Sequence, residues 1–548
     1  MTWQASLKSV LTFGVVLILL GRVVPAQKFL PDDPILVDND RLPIEMPAPV
    51  KLSQILDFVK SSYGWGLEKG EPIVPAENVD TLGEVPDSSW FTNRMGRRLM
   101  SLSELERGPN QLTGPDLSRT WVVVSAKSEG ISKGFTIRDG HGDLYFIKFD
   151  PVTNPQMATS AEVIATKFFH AFGYHVPENY LVFISRNQLK VDSTSTTADE
   201  AGNKRRMTEK DVDDIFTQVP TRLDGTVQAI ASLALSGKPL GPFEYFGTRP
   251  DDPNDIFPHQ NRRELRGLRV FSAWLNHDDA RAINTLNTYI EESDGGYVKH
   301  HLLDFGSCLG SGSVKPQSRR AGYEYIAELT PNLNSGLSLG WKDRAWRDIE
   351  YPDFPAVGRL ESDLFEPAQW KTEYPNSAFI RMRPDDAFWA TRIVLRFSDD
   401  MIRTLVGTGQ FTDPRAENYL TETLIKRRDK LIQYFLSLIN PLSDFRISVQ
   451  SDSSHLEFKN LGVEAGLSSV SSYQFQWFRF DNGQNALEPL GELQSAGSET
   501  LPLPRDAAPF LMVRLVTLSP EQKSWEKKVE IFIRNAPAPS VVGIEREL

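Results

Sequence analysis

The amino-acid sequence predicts an α+β fold whose C-terminal part is a β-sandwich. Three short apolar strands separated by glycine-containing turns lie at 120–150, amphipathic helical patterns recur at 154–174 and 413–439, and only short alternating strands follow Pro441. Strands and helices therefore alternate in the middle of the chain, and strands alone end it. The 548 residues suffice for several domains with buried cores, and we expect four successive segments.

The first segment, residues 1–26, has the pattern of a secretory signal peptide. Lys8 precedes an apolar run at 10–20, and Val24 and Ala26 occupy the small-residue positions of a cleavage site. Because the run is short for a transmembrane span, we expect cleavage and export to the periplasm or the medium. A retained membrane anchor is the alternative. After cleavage we expect no stable membrane span.

Composition and charge exclude several classes of protein. The formal net charge of −12 argues against a nucleic-acid partner. The single cysteine, Cys308, excludes an intrachain disulfide and a cysteine-based zinc site. The second segment, residues 27–119, is rich in Pro, Asp and Glu and shows little periodicity. We expect it to form an N-terminal arm on the surface of the main domain.

The third segment, residues 120–440, is the predicted main domain. It starts with a three-stranded meander, followed by a helix that Gly173 ends and a fourth strand. We expect the polar stretch 186–212 to be a mobile insertion or a hairpin tip, and 287–306 to be a hairpin that turns at Asp294-Gly295-Gly296. The predicted strands of this part are 120–127, 135–139, 144–150 and 178–185, and the predicted helices are 154–174, 262–275, 385–397 and 413–439.

The fourth segment, residues 441–548, consists of short strands separated by turns. Its apolar and polar residues alternate in runs such as FRISVQ, YQFQWFRF and KKVEIFIRN. About a hundred residues with this pattern predict a β-sandwich of the immunoglobulin-like type, although no pair of cysteines accompanies it.

Five polar residues occur in a defined order along the main domain. Lys148 lies on the third strand, and Glu162 is the only acidic residue of the next helix. Asp279 and Asn284 belong to a loop and have Asp-x-x-x-x-Asn spacing. Asp304 ends an apolar strand and is followed by Phe-Gly. Because a carboxylate at the end of a buried strand needs a partner, Asp304 either binds a metal ion or caps a helix or turn.

This order resembles that of the protein-kinase-like fold, including divergent members such as phosphoinositide kinases and secreted atypical kinases. The resemblance covers about residues 120–440 and implies a bilobal kinase-like domain that binds ATP and Mg²⁺. It implies that Lys148 contacts the α- and β-phosphates while Glu162 holds its ammonium group. It also implies that Asn284 and Asp304 hold Mg²⁺ through oxygen atoms.

Further roles follow from the resemblance. Asp279 would accept or orient the proton of the attacking hydroxyl. The backbone near Gly130 and Gly134 would approach the phosphates, although the full glycine-rich motif of the family is absent. Asp278 stands where many protein kinases carry an arginine, and either Asp278 or Asp279 is a candidate for the catalytic acid.

The function predicted from these residues is ATP- and Mg²⁺-dependent transfer of a phosphoryl or nucleotidyl group by an exported protein. The acceptor, whether a protein, a glycan or a small molecule, is not determined by the sequence. One alternative is a pseudokinase or binding module of the cell envelope, which the scarcity of ATP outside the cytoplasm favours. Another is a scaffold whose main domain is only structural. Nucleotide binding separates the scaffold from the other two.

The export prediction has a direct test. We expect the mature protein to begin at Gln27 or a neighbouring residue, because Val24 and Ala26 complete the cleavage pattern. Mass spectrometry of the N-terminal peptide of the exported protein measures this. Soluble protein that retains Met1 would contradict the prediction.

Overall fold

The structure is a computed structural model, and its described residues form a mixed α+β fold with ten α-helices. The predicted signal peptide at 1–26 and Gly130 lie outside the described residues. Within the described part of the chain, no helix is both long enough and apolar enough to cross a membrane. The structure describes residues 27–63, 72–126, 133–198, 203–326, 344–450, 453–469, 472–536 and 538–548.

A seven-stranded sheet forms the first part of the main domain. Its strands follow the order β4-β7-β3-β2-β1-β5-β6, so the predicted meander β1-β2-β3 lies at its centre. Neighbouring strands are antiparallel except β1 and β5, which are parallel. The strands are β1 (Trp121–Ala126), β2 (Gly134–Arg138), β3 (Leu144–Phe149), β4 (Asn179–Ile184), β5 (Leu189–Ala198), β6 (Lys204–Arg206) and β7 (Val227–Leu233).

The polar stretch expected as a mobile insertion or hairpin tip forms the hairpin β5–β6 and extends the sheet. Buried Ser195 donates a hydrogen bond of 2.5 Å to the carbonyl oxygen of Val123. The polar composition of this stretch did not predict a strand. A hydroxyl group can nevertheless be buried in a sheet when it donates a hydrogen bond to a backbone carbonyl.

The helix after β3, α3 (Met157–Phe172), lies between the sheet and the helical part of the domain. Every residue except His170 is buried, which explains why apolar residues occur on more than one of its faces. Its phenylalanines belong to the same hydrophobic core as the buried residues of α5 (Arg263–Leu275). The helix thus connects the two parts of the main domain.

The helical part contains a second, three-stranded sheet of order β10-β9-β8. The pairing of Gly295 with Glu292 places the hairpin turn at Ser293 and Asp294, one residue earlier than predicted. Asp413 caps the longest of the described helices by accepting a hydrogen bond from Arg415 N. The elements of the helical part are β8 (Lys238–Gly241), β9 (Thr285–Glu292), β10 (Gly295–Leu302), α6 (Ser377–Ile380), α7 (Pro384–Leu395), α8 (Asp399–Gly407) and α9 (Pro414–Leu436). Helix α4 (Glu209–Phe216) packs instead on the seven-stranded sheet.

Part of the segment expected as a surface arm is core. Trp90, Phe91 and Met95 are at most 4% exposed and pack in the main hydrophobic core. Short stretches that reach the core from a loop have no periodicity, so their burial could not be predicted from the pattern of apolar residues. This segment contains α1 (Gln54–Tyr63) and α2 (Leu102–Arg107).

The C-terminal strands form two antiparallel sheets whose buried residues share one hydrophobic cluster. Their orders are β11-β12-β15 and β14-β13-β16-β17-β18. The immunoglobulin-like type stays a prediction. The elements are β11 (Leu442–Gln450), β12 (Ser453–Asn460), α10 (Leu461–Glu464), β13 (Ser472–Asp481), β14 (Ala486–Ala496), β15 (Thr500–Pro502), β16 (Phe510–Leu518), β17 (Val529–Arg534) and β18 (Ser540–Arg546).

A buried tryptophan joins these sheets to the end of α9. The indole nitrogen of Trp525 donates to the carbonyl oxygen of Leu436 at 2.9 Å, and the ring packs over Gly462. A Cβ at Gly462 would lie 2.2 Å from Trp525 Cζ2. Only glycine therefore allows this contact.

We expect Gly462→Ala to lower the free energy of unfolding by about 1–3 kcal/mol, because the added methyl group displaces the indole ring. Urea denaturation followed by tryptophan fluorescence measures the loss. Gly497→Ala is the matched control, since nothing lies within 4 Å of a Cβ there. Equal stability of the Gly462 variant and the wild type would contradict the packing described.

Candidate active site

A cleft of about 690 Å³ lies between the seven-stranded sheet and the helical part. Its lining brings together five side chains that the sequence spreads from position 148 to position 304. Gly134 is not among the described residues that line this cleft. The five residues are Lys148, Glu162, Asp279, Asn284 and Asp304.

Lys148 lies near the end of β3, an interior strand of the sheet. Its Nζ atom lies 2.8 Å from Asp304 Oδ1 and 3.2 Å from Glu162 Oε2. Burial opposes the charged form, but the two carboxylates outweigh it and raise the pKa of Lys148 above its ordinary value. The ammonium group therefore stays charged at neutral pH.

Glu162 connects α3 to the Asp-Phe-Gly turn. Its Oε1 atom accepts a hydrogen bond of 3.2 Å from Phe305 N, while Oε2 contacts Lys148. The Phe305 ring stacks on Phe169 of the same helix, with ring centroids 4.7 Å apart. The carboxylate and the ring together fix the turn that carries Asp304.

Asp150, the residue that follows β3, caps the N-terminus of α3. Its carboxylate accepts hydrogen bonds from Ala158 N at 2.8 Å, Thr159 N at 2.9 Å and Thr159 Oγ1 at 2.6 Å. Burial raises the pKa of Asp150 to about 6, and the hydrogen bonds oppose this shift. Because Ala158 lies one turn before Glu162, the cap fixes the helix relative to the strand that carries Lys148.

A second set of hydrogen bonds ties α3 to the loop between α8 and α9. Gln156 Nε2 donates to Gln410 O at 3.1 Å, and Thr412 N donates to Gln156 Oε1 at 3.0 Å. Ser160 Oγ donates to Gly409 O at 2.8 Å. The helix that carries Glu162 is therefore fixed by both parts of the domain.

The hairpin β9–β10 explains why Asn284 and Asp304 meet. Thr285 pairs with Leu302, so the residue before β9 and the residues after β10 are neighbours. The backbone bond from Leu303 N to Asn284 O, 2.9 Å long, continues this pairing. A register slip would separate the two side chains.

The two adjacent aspartates of the loop have different partners. Asp279 pairs with Arg281, and Asn284 Nδ2 donates to Asp279 O at 2.8 Å. Asp278 Oδ1 accepts a hydrogen bond of 2.5 Å from Gln317 Nε2. Burial raises the pKa of both carboxyl groups, and for Asp279 the charge of Arg281 opposes the shift.

Helix α1 of the N-terminal segment packs against this loop. Phe58 contacts Tyr374 with ring centroids 5.2 Å apart, and the Arg281 guanidinium lies 4.8 Å from the centre of the Tyr374 ring. Sequence reasoning missed Arg281 and Asp150. No pattern marks an arginine two residues after an acid, and Asp150 caps a helix that starts seven residues later.

No protein-family model and no curated protein sequence matches this chain. Among solved structures, the chain is similar to the crystal structure of the Helicobacter pylori proinflammatory kinase CtkA. The sequence identity is 13% and the TM-score 0.29, over 57% of this chain and 96% of that chain. This is a weak structural similarity.

Gly306 explains why the turn after Asp304 needs glycine. A Cβ at this position would lie 2.9 Å from Glu162 Oε2 and 3.4 Å from Ser313 Oγ. The carboxylate is held by Lys148 and Phe305 N, so it cannot yield without losing a contact.

We expect Gly306→Ala to cost about 1–3 kcal/mol of unfolding free energy through overpacking against Glu162. In a Glu162→Asp background the same substitution should cost less, because the shorter side chain leaves room. A double-mutant cycle measured by urea denaturation tests this coupling. Equal costs in the two backgrounds would show that Gly306 and Glu162 do not crowd each other.

Proposed function

We propose that this chain is a kinase-like phosphotransferase that uses ATP and Mg²⁺. The observation that carries the proposal is the ammonium group of Lys148, held between Glu162 and Asp304 in a cleft that also contains Asp279 and Asn284. A fixed cation beside oxygen ligands and a carboxylate is the arrangement that phosphoryl transfer requires.

The residues present fit a Mg²⁺–nucleotide complex. The amide nitrogen of Asn284 is used by Asp279 O, which leaves the amide oxygen as its ligand atom. The Asp304 side chain is 46% exposed in the cleft. Oxygen atoms of this kind are the ligands that Mg²⁺ prefers. Bound there, the ion would neutralise the negative charge of the phosphates.

The apolar wall of the cleft suits a planar base. Phe146 and Leu233 line it from the sheet, and Leu286 and Leu303 line it from the hairpin β9–β10. With the base against this wall, Lys148 would contact the phosphate oxygens while Glu162 holds its ammonium group in place. This division between an apolar wall and a few charged groups is typical of cofactor sites.

Asp279 is our candidate for the residue that takes the proton of the acceptor hydroxyl. It lies beside Asn284, whereas the carboxylate of Asp278 is held by Gln317. When the hydroxyl oxygen attacks the phosphorus atom, its proton passes to Asp279 and the bond to the leaving phosphate oxygen breaks. Arg281 beside Asp279 favours the charged form that can accept a proton.

The proposal also includes the domain types and the location of the protein. We propose a bilobal kinase-like domain at about 120–440 and a sandwich of immunoglobulin-like type after it, in an exported protein. The bilobal assignment is supported by the arrangement around the cleft. The seven-stranded sheet and α3 lie on one side of it, and the helical part lies on the other. The signal-peptide pattern at 1–26 supports export.

We expect Asp304→Asn to abolish Mg²⁺-dependent nucleotide binding, because a neutral amide is a poor ligand for the ion. Isothermal titration of residues 27–548 with ATP and Mg²⁺ or Mn²⁺ measures it. Asp279→Asn should bind ATP normally and lose at least a hundredfold in transfer rate, which a product assay with trial acceptors measures. Asp143→Asn, an exposed residue of the β2–β3 turn, is the matched control.

Three results would distinguish an active phosphotransferase from the alternative functions. Failure of the wild-type chain to bind any nucleotide with Mg²⁺ or Mn²⁺ would overturn the proposal in favour of a scaffold. Binding without any turnover would favour a pseudokinase. If Asp279→Asn keeps full transfer activity and Asp278→Asn loses it, Asp278 is the residue that accepts the proton.

A further inference from the structure

The edge of β10 that does not pair with β9 lies against other segments of the chain. Three backbone hydrogen bonds join it to the N-terminal segment and to the loop between α3 and β4: Ile44 N to Gly296 O (2.8 Å), His300 N to Ser89 O (3.1 Å) and Leu302 N to His175 O (3.0 Å). Side chains alternate along a strand, so Tyr297, Lys299 and His301 share one face of β10. This face therefore borders the N-terminal segment.

Three basic side chains gather at this border: Arg41 and Arg94 from the N-terminal segment, and Lys299 from β10. Burial, and then the charges of Arg41 and Arg94, lower the pKa of Lys299 below its ordinary value. The Arg41 guanidinium lies 5.6 Å from the centre of the Tyr297 ring, which stands two residues before Lys299 on the same face. Like charges repel one another, so an anion between these groups would stabilise them.

Both arginines use part of their donors on backbone carbonyl oxygens. Arg41 Nη2 donates to Ser88 O at 2.8 Å, and Arg94 Nη1 donates to His170 O at 2.9 Å and to Tyr174 O at 3.3 Å. A guanidinium has five N–H groups. Each arginine is thus held in place by the fold and keeps further donors that bind no described residue.

No acidic side chain within 27–63, 72–126, 133–198 and 203–326 pairs with the three basic groups. Asp87 is the acid whose charge acts on Arg94, and it is itself paired with Arg97 at 2.9 Å. In these ranges no carboxylate raises the pKa of Lys299, and its ammonium group makes neither a hydrogen bond nor an ion pair. The cluster therefore keeps a net positive charge.

A buried nitrogen beside the cluster also lacks a partner. His301 is 4% exposed, and its Nε2 atom lies 3.1 Å from Thr288 Oγ1, whereas its Nδ1 atom has no hydrogen-bond partner. Burial, and then the charge of Lys299, lower the pKa of His301 to about 3, so the ring is neutral at neutral pH. When Thr288 donates to Nε2, the proton lies on Nδ1, which can donate it to a ligand oxygen.

We propose that Arg41, Arg94 and Lys299 bind a phosphate group, either the free ion or a small phosphate ester. A phosphate group carries up to two negative charges and offers oxygen atoms in several directions, which suits three cations from different segments. A carboxylate carries one charge and its two oxygen atoms lie in one plane. The bound group would connect the N-terminal segment to the hairpin β9–β10. The proposal does not depend on nucleotide binding in the cleft of the candidate active site.

A purely structural role for the arginines is the competing explanation. Arg41 and Arg94 would then only hold the segments whose carbonyl oxygens they bind. This role predicts that loss of either guanidinium lowers stability and that the wild type binds no phosphate. Lys299 separates the two explanations, because its ammonium group holds no described residue. Its loss should weaken phosphate binding and leave stability without phosphate nearly unchanged.

Isothermal titration of residues 27–548 at constant ionic strength tests the proposal, with inorganic phosphate and glycerol 3-phosphate as probes. We expect saturable binding that weakens at least tenfold in Lys299→Gln and in Arg41→Gln, with partial retention in Arg41→Lys. Lys238→Gln is the matched control, because it removes a positive charge from the same small sheet, where Lys238 pairs with Glu291 at 2.9 Å. Thermal denaturation shows which variants are folded, and phosphate should raise the melting temperature of the wild type but not that of Lys299→Gln.

The two probes and a competition distinguish the source of the phosphate group and its location. Tighter binding of glycerol 3-phosphate would support an ester as the ligand, and tighter binding of inorganic phosphate would support the free ion. Sulfate, also a tetrahedral dianion, should displace either probe, whereas chloride at the same ionic strength should not. Phosphate bound in the cleft of the candidate active site would bind folded Lys299→Gln as tightly as the wild type. That result, equal displacement by chloride, or no saturable binding by the wild type would each overturn the proposal.

Discussion

The charge of Lys148 is the interaction on which the cleft depends. A buried ammonium group is tolerated only when it is paired, and here two carboxylates from different parts of the chain pair it. Glu162 comes from α3, and Asp304 follows the hairpin β9–β10. One ammonium group therefore connects the seven-stranded sheet, the long buried helix and the hairpin.

The hydrogen bonds around α3 make this charge pairing possible. Asp150 caps the helix from the sheet, and Gln156 and Ser160 bind the loop between α8 and α9. A salt bridge alone does not fix the orientation of a helix, because an ion pair tolerates many orientations. Hydrogen bonds to backbone N–H groups at the helix N-terminus tolerate far fewer. The position of Glu162 thus follows from neutral and charge-assisted hydrogen bonds that lie outside the cleft.

The sequence was informative where local patterns decide the structure. Alternation and turn residues predicted the meander, and helical spacing predicted α3 and α5, so Lys148 and Glu162 were placed on the right elements. The hairpin β9–β10 was predicted with its turn one residue late, and its register then brings Asn284 and Asp304 together. Packing between distant segments could not be predicted. Trp90 reaches the core from a loop without periodicity, and Asp150 caps a helix across an intervening loop.

The side-chain amide of Gln317 holds the residues after Asp304 to the loop that carries Asp278. Gln317 Nε2 donates to Asp278 Oδ1 at 2.5 Å, to Ser307 O at 2.8 Å and to Asn276 O at 3.1 Å. Burial favours the neutral form of the Asp278 carboxyl group, and an amide partner suits a group of either charge. One amide group therefore links residues 276, 278 and 307, and it does so whether the Asp278 carboxyl group is charged or neutral.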